Sequence, residues 1–322
     1  LIIKKRSMEY KYMGLKMLYK RLPKEHAMKS IINSNILSTR AGIIGESKLE
    51  EIFDKYHFPF DYCVLHDVSM TSTGKFQIDV LFITPYYVAI LECKNIIGEL
   101  CFENEPSCLI RKLEDQKKDV FESPEIQVDR NKYLLKEWLT QRDVFIPVIG
   151  VIVLSSMKSR VVKKPNHTPV IYTSSIPTFL RNLPRKKEYI SVTKMYEIAK
   201  LIMLLHRPFI PYPMCKNWGI DPRDLITGVK CEKCDQFGMV KIHRGWHCLT
   251  CMSIDRLAHE QTVREWFALV GKHISNKDCR NFLQIESHQL ASRILNSMNL
   301  KRRGSSKNNT IYTFEWEKLN EK

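Results

Sequence analysis

No apolar run in this chain approaches the ~20 residues that a membrane-spanning helix needs; the longest runs from Val144 to Leu154. No membrane partner is expected. Lys4-Lys5-Arg6 near the start is followed by neither an apolar block nor a small-residue cleavage site. Export is therefore not expected, and a cytoplasmic setting is. Internal repeats and long low-complexity tracts are missing as well. Acids are in short supply: 35 Asp and Glu stand against 51 Lys and Arg, a net charge of +16 over 322 residues.

That charge is unevenly spread. Residues 1–40 hold ten basic residues against two acids, and residues 155–230 hold fourteen against four. Between them, residues 41–154 hold twelve against nineteen. An acidic middle with basic flanks suits a polyanion-binding protein that gathers carboxylates in one place. Nucleic acid is the expected partner, ahead of a surface that is basic only for solubility. A hydrophobic share of 44% and a charged share of 27% fit globular domains, and the length suggests two or three of them.

Periodicity places a helix over residues 42–56 and strands over roughly 61–68, 76–83 and 87–94, with shorter ones near 98–102 and 108–112. Ser123-Pro124 predicts a helix start, running to about Gln141. A fully apolar strand, 145–154, follows and reads as buried on both faces. This order predicts a mixed α/β sheet with flanking helices. A short strand at 170–172 and a helix near 192–205 extend the domain. Pro208, Pro211 and Pro213 then mark a boundary.

The stretch QIDVLFITPYYVAILECK, residues 77–94, places charges in otherwise core-like strands. With a symmetric loop around Pro85-Tyr86, Asp79 faces Glu92 and Gln77 faces Lys94, all four on one side of the sheet. Carboxylates so opposed need a cation or a shared proton. An oxygen-liganded divalent ion, Mg²⁺ or Mn²⁺, fits that need. Lys94 would orient a water or stabilise charge on a phosphoryl group, a set suited to phosphodiester hydrolysis. Singly, Asp79 could cap a turn and Lys94 could guard an edge strand.

Asp79 followed by Glu92-Cys93-Lys94 resembles the D…(D/E)xK signature of the PD-(D/E)xK nuclease superfamily. GIIGES (42–47), the strand pair 77–95 and the helix opening SPEIQ (123–127) resemble the nuclease-related domain, or NERD, family over about residues 40–155. The resemblance implies a restriction-endonuclease-like fold and a metal-dependent nuclease site. Asp79, Glu92 and Glu46 would hold the metal, with Lys94 catalytic and Gln77 and Gln127 supporting. Glu46 would also suit an early helix position whatever its chemistry, and Gln127 could simply be solvated. Cys93, between Glu92 and Lys94, is expected to pack on the opposite face.

Ten cysteines without an export signal argue against a disulfide framework. Four of them, Cys231, Cys234, Cys248 and Cys251, form two CxxC pairs spaced for one structural Zn²⁺. His243 and His247 are spare to a site already filled. Downstream, residues 255–318 carry three helical patterns and a basic hairpin, which resembles a winged helix-turn-helix domain. There His288, Gln289, Ser292, Arg293 and Asn296 would face the major groove. Lys301, Arg302, Arg303 and Lys307 would contact backbone or minor groove.

The expected organisation is a basic segment (1–39), a nuclease-like domain (40–212, motif core 40–155), a zinc ribbon (228–254) and the winged-helix-like region. The leading expectation is a metal-dependent nuclease acting on DNA rather than RNA. A catalytically silent DNA-binding scaffold and an RNA-directed nuclease are the alternatives.

Overall fold

The apolar runs of Lys75–Ile83 and Val88–Lys94 build the centre of a six-stranded mixed sheet in the computed structural model, which describes residues 1–7, 9–304 and 310–316. The chain divides into two units, one of Leu1–Ser7 with Arg40–Phe209 and the other of Met8–Thr39 with Ile210–Lys322. The helix Lys29–Lys55 runs through the 39/40 division. It begins well before the residue 42 expected from periodicity. Its first turns, KSIINSNILSTR, are too rich in Ser and Asn to advertise a helix.

In the first unit the sheet order is Ile2–Lys4, Cys63–Thr71, Lys75–Ile83, Val88–Lys94, Val148–Leu154, Val170–Tyr172. The pairs around the central hairpin are antiparallel and the remaining three are parallel. Both faces are covered, as the apolar composition requires. Leu134, Leu135 and Trp138 of Pro124–Thr140 pack with Met195, Ile198 and Ile202 of Val192–Leu205 on one face. Leu49 and Phe53 of the long helix pack with Ile176 and Leu180 on the other. Pro147 delays the strand expected from residue 145, so pairing begins at Val148. Gly150 lets Pro124–Thr140 lie close, because a Cβ there would stand 2.1 Å from Val128 Cγ1.

A second sheet, of four strands, was only half expected. Gly98–Asn104 and Ser107–Lys112 are joined at the edges by Ser159–Lys163 and Lys118–Glu122. The two edge strands are largely exposed and charged, so neither carries an alternating apolar signal.

The second unit has one continuous core, in which Leu15 and Leu18 of helix Tyr10–Arg21 pack with Val263, Phe267, Phe282 and Leu295. Arg21 is fully buried, with Nε 2.6 Å from Glu265 Oε2, and Lys230 Nζ lies 3.6 Å from Glu265 Oε1. A buried guanidinium requires such a partner. The C-terminal part runs Ala258–Leu269, His273–Ser275, Asn276–Leu283, His288–Ser297, Lys301–Arg303, Ile311–Thr313. Its three short strands form a sheet in which Ile311–Thr313 is central. Ser275 and Asp278 close the reciprocal cap that their spacing predicts.

Candidate functional site

The central hairpin pairs as Val80↔Leu91, Leu81↔Ile90, Phe82↔Ala89 and Ile83↔Val88, the expected register. The ladder ends at Val80↔Leu91, one residue short of Asp79 and Glu92. There Cys93 N–H donates instead to Asp79 Oδ2 at 2.8 Å. Asp79 thus stands in the fork where the two strands part.

Face alternation is broken at this level in two neighbouring strands. Cys63 and Leu65 share a core with Val68 and Met70, and Phe76 and Ile78 share it with Leu81 and Ile83. The residue out of step is Asp67 in one strand and Asp79 in the other. Their ladder runs His66↔Val80 and Val68↔Ile78 and omits the pair between. Asp67 has a φ of 51°, a left-handed backbone that Asp tolerates better than most residues. By register, Asp67, Asp79 and Glu92 occupy one row across three adjacent strands. Sequence reading missed Asp67. The visible signal was an acid inside the apolar run CVLHDVSM.

Glu92 is 1% exposed. Its Oε1 accepts from Lys94 Nζ at 2.7 Å, and its Oε2 is a buried oxygen with no hydrogen-bond partner among the described residues. Burial, reinforced by the charge of Asp79, pushes its pKa up to about 8 despite Lys94. Burial raises the Asp79 pKa too, against lowering by Lys94 and by the Cys93 N–H. Lys94 is partly exposed and would be lowered by burial, but Glu92 and Asp79 outweigh that and raise it.

Lys94 Nζ also donates to Gln127 Oε1 at 2.9 Å. Gln127 is thereby engaged rather than solvated, because Gly150 brings its helix against the sheet. Gln77 behaves otherwise. It was expected opposite Lys94, but with the ladder ended and the alternation broken, Gln77 Nε2 donates to Asp67 Oδ1 at 2.8 Å. Its backbone carbonyl accepts from the buried Asn131 at 2.7 Å.

Glu46 rises from Lys29–Lys55, on the face that carries Cys93 rather than Glu92. Close approach there depends on Gly45, where a Cβ would lie 2.7 Å from Ser155 Oγ and 2.8 Å from Asn95 Cβ. Glu46 Oε2 lies 2.9 Å from Arg6 Nη2. Arg6 Nη1 also donates to the Ile43 carbonyl at 3.1 Å and to Ser47 Oγ at 2.9 Å. Arg6 is the second residue that sequence reading missed. It lies in a separate segment, after the strand Ile2–Lys4 that joins the sheet edge.

The carboxylate set fits a hard cation in its chemistry: two acids of raised pKa, one bearing an orphaned buried oxygen. Among the described residues, however, the one group of three or more candidate ligands within 4.8 Å of one another is the cysteine set. Glu46 therefore does not close on Asp79 and Glu92 as a compact third ligand.

That set is Cys231, Cys234, Cys248 and Cys251. The Cys231–Cys251 and Cys234–Cys248 sulfur pairs stand 3.7 and 3.5 Å apart. Four thiolates about 2.3 Å from one tetrahedral ion would be separated by about 3.8 Å, so the arrangement suits zinc. Ser253 Oγ lies 3.1 Å from Cys251 Sγ. Hydrogen bonds from the Ser253 hydroxyl and N–H draw the Cys251 thiol down to about 6. Between the pairs, Val240–Ile242 and Gly245–His247 make the small hairpin.

Of the residues expected to meet nucleic acid, His288, Gln289 and Arg293 are exposed on helix His288–Ser297. Asn296 is exposed too but accepts from the Tyr312 hydroxyl at 2.9 Å, and the half-buried Ser292 accepts from Asn276 at 2.8 Å. Arg302 and Arg303 are exposed, while Lys301 pairs with Glu315. Lys307 lies outside the described residues.

Residues 41–155 match the family model described as nuclease-related domain. The matched stretch contains Glu46, Asp79, Glu92, Lys94 and Gln127, and excludes Arg6 and the cysteine set. No curated protein and no solved structure matches the chain. Among the described residues, no helix is long and apolar enough to cross a membrane.

Proposed function

We propose that the protein is a metal-dependent nuclease hydrolysing phosphodiester bonds of DNA. The observation that carries this reading is the buried Glu92, one oxygen bonded to Lys94 and the other orphaned, beside Asp79 in the fork of the hairpin. A Mg²⁺ or Mn²⁺ ion held there would lower the pKa of a bound water and neutralise phosphate charge. Asp79 and Glu92 would hold it, and Glu46, paired with Arg6, would help only through water. Lys94, held by Glu92 and Gln127, offers its remaining proton to the attacking water or to a phosphoryl oxygen.

The cysteine set is a structural zinc ribbon within residues 228–254. Residues 255–318 form a winged-helix-like domain, with helix His288–Ser297 presented to the major groove and Arg302 and Arg303 on the wing. The helix–strand–helix–helix–strand–strand order and the central place of the last strand support that reading. These modules deliver the nuclease-like unit, Leu1–Ser7 with Arg40–Phe209, to DNA in the cytoplasm.

One observation favours a second reading. Glu46 is paired with Arg6, as in a scaffold that no longer assembles a full ligand set. Purified protein incubated with labelled DNA and RNA, in Mg²⁺, Mn²⁺ or EDTA, separates the two. Metal-dependent DNA cleavage abolished in Asp79→Ala, with binding retained, supports the enzyme. Binding without cleavage in either metal supports the scaffold, and cleavage confined to RNA overturns the DNA assignment.

A further inference from the structure

The second unit contains a cavity of about 550 Å³ that the nuclease reading does not use. Aromatic rings supply much of its wall: Tyr212, Phe267, Phe314 and Trp316. Tyr212 and Trp316 have ring centroids 4.6 Å apart at 62°, and Phe314 and Trp316 4.7 Å apart at 73°. Phe267 stacks on Phe314 at 5.8 Å. The cluster is anchored from behind, since the Tyr10 hydroxyl donates to the Trp316 carbonyl at 2.8 Å and the Tyr212 hydroxyl to the Tyr10 carbonyl at 2.9 Å. Tyr212 and Phe314 are only half-buried, so part of each ring opens into the cavity.

The rim is cationic. Lys272 and Arg303 are exposed and make no ion pair or side-chain hydrogen bond among the described residues, and His273 joins them in the lining. The one acid in the wall, Glu315, pairs with Lys301. Aromatic walls with an uncommitted basic rim fit a ligand that is flat at one end and anionic at the other.

We propose that this cavity binds an unstacked nucleobase together with its phosphate. The base lies against the Tyr212 and Phe314 rings, and the phosphate meets Lys272 and Arg303. The proposal rests on the reading that this unit engages nucleic acid, and adds a preference for an unpaired nucleotide. Two sources supply that chemistry: a free mononucleotide, or a single-stranded overhang beside a duplex.

Fluorescence anisotropy on the full chain tests it with three labelled probes: a blunt duplex, the same duplex with a short single-stranded overhang, and one whose overhang is abasic. AMP serves as the free-nucleotide probe by calorimetry. The overhang should tighten binding about tenfold over the blunt end, and the abasic overhang should restore blunt-end affinity. The exposed substitution Lys272→Glu should remove the gain while leaving blunt-duplex binding within about twofold, because Lys272 lies outside the helix and wing assigned to the duplex. Equal affinity for all three probes overturns the proposal and leaves duplex targeting standing. If no duplex binds, targeting fails and AMP decides: binding lost in Lys272→Glu sustains the pocket, and no AMP binding removes it.

Discussion

Lys94 Nζ lies 2.7 Å from Glu92 Oε1, two residues along the same strand, and 2.9 Å from Gln127 Oε1 on the helix that covers that face. On the proposed nuclease reading the amine is therefore aimed before substrate arrives. Lys94→Met should lower DNA cleavage by at least about a hundredfold while DNA affinity changes little. Gln127→Leu removes one of the two restraints and should cost less. Single-turnover cleavage and equilibrium binding on the same samples check both.

Glu92 carries a cost of folding. Its pKa rises from the ordinary carboxylate value to about 8, so the unfolded chain releases its proton more readily than the folded protein. Stability contributed at this position therefore falls as pH climbs from about 4.5 to about 8. Glu92→Gln should stabilise the metal-free protein by roughly 1–3 kcal/mol at pH 8, and the gain should shrink towards pH 4.5. The same variant should lose metal-dependent cleavage. Denaturant melts across that pH range, in EDTA, measure the first effect.

His66 works in the opposite direction. It is 1% exposed, lies against Phe53 and is drawn down to about 4 by burial, with Lys4 and Arg6 adding to the effect. The unfolded chain takes up a proton near pH 6.5 and the folded protein does not. Stability is whole above that pH and declines below it, by about 2 kcal/mol at pH 5. His66→Gln should flatten this portion of the acid limb, as urea titrations at pH 7 and pH 5 would show.

Gly45→Ala is a test of packing rather than chemistry. Alanine favours a helix by up to about 1 kcal/mol over glycine. The new methyl would nevertheless stand 2.8 Å from Asn95 Cβ and 2.7 Å from Ser155 Oγ, and Asn95 Cβ is fixed to the strand end. The clash should win, with a net loss of about 1–3 kcal/mol in urea unfolding. Displacement of the Glu92–Lys94 strand end should lower cleavage as well.

Metal analysis should find about one zinc per chain. Cys234→Ser should lose it, and a strong chelator should unfold the hairpin between the cysteine pairs. Trp246 reports the change directly, being buried with its indole N–H 2.9 Å from His259 Nδ1. Its emission should shift to the red when that bond opens to water.

The legible parts of this molecule were those whose signals are local. A symmetric loop between two apolar runs fixed the hairpin register. The spacing of Cys231, Cys234, Cys248 and Cys251 marked their cluster, and Ser275 with Asp278 marked a cap. Ser123 marked its helix start too, although its side chain makes no capping bond. The parts missed depend on distant neighbours. Asp67 takes a left-handed backbone only because two adjacent strands lose step together. Arg6 follows a three-residue strand whose partner is some sixty residues away. Gln127 was named through the family resemblance, but its meeting with Lys94, which the closeness at Gly150 permits, is encoded by no periodicity in either segment.

The chain passes between its two units at Ser7/Met8, at Thr39/Arg40 and at Phe209/Ile210. A single cut near the proline-rich stretch therefore liberates neither of them whole. A fragment beginning at Ile210 would leave Glu265 sequestered without Arg21, and one beginning at Arg40 would forfeit the edge strand and Arg6. Separating the proposed cleavage from the proposed recognition calls for point substitutions in the intact polypeptide, because truncation would unseat the framework of whichever half it was meant to isolate.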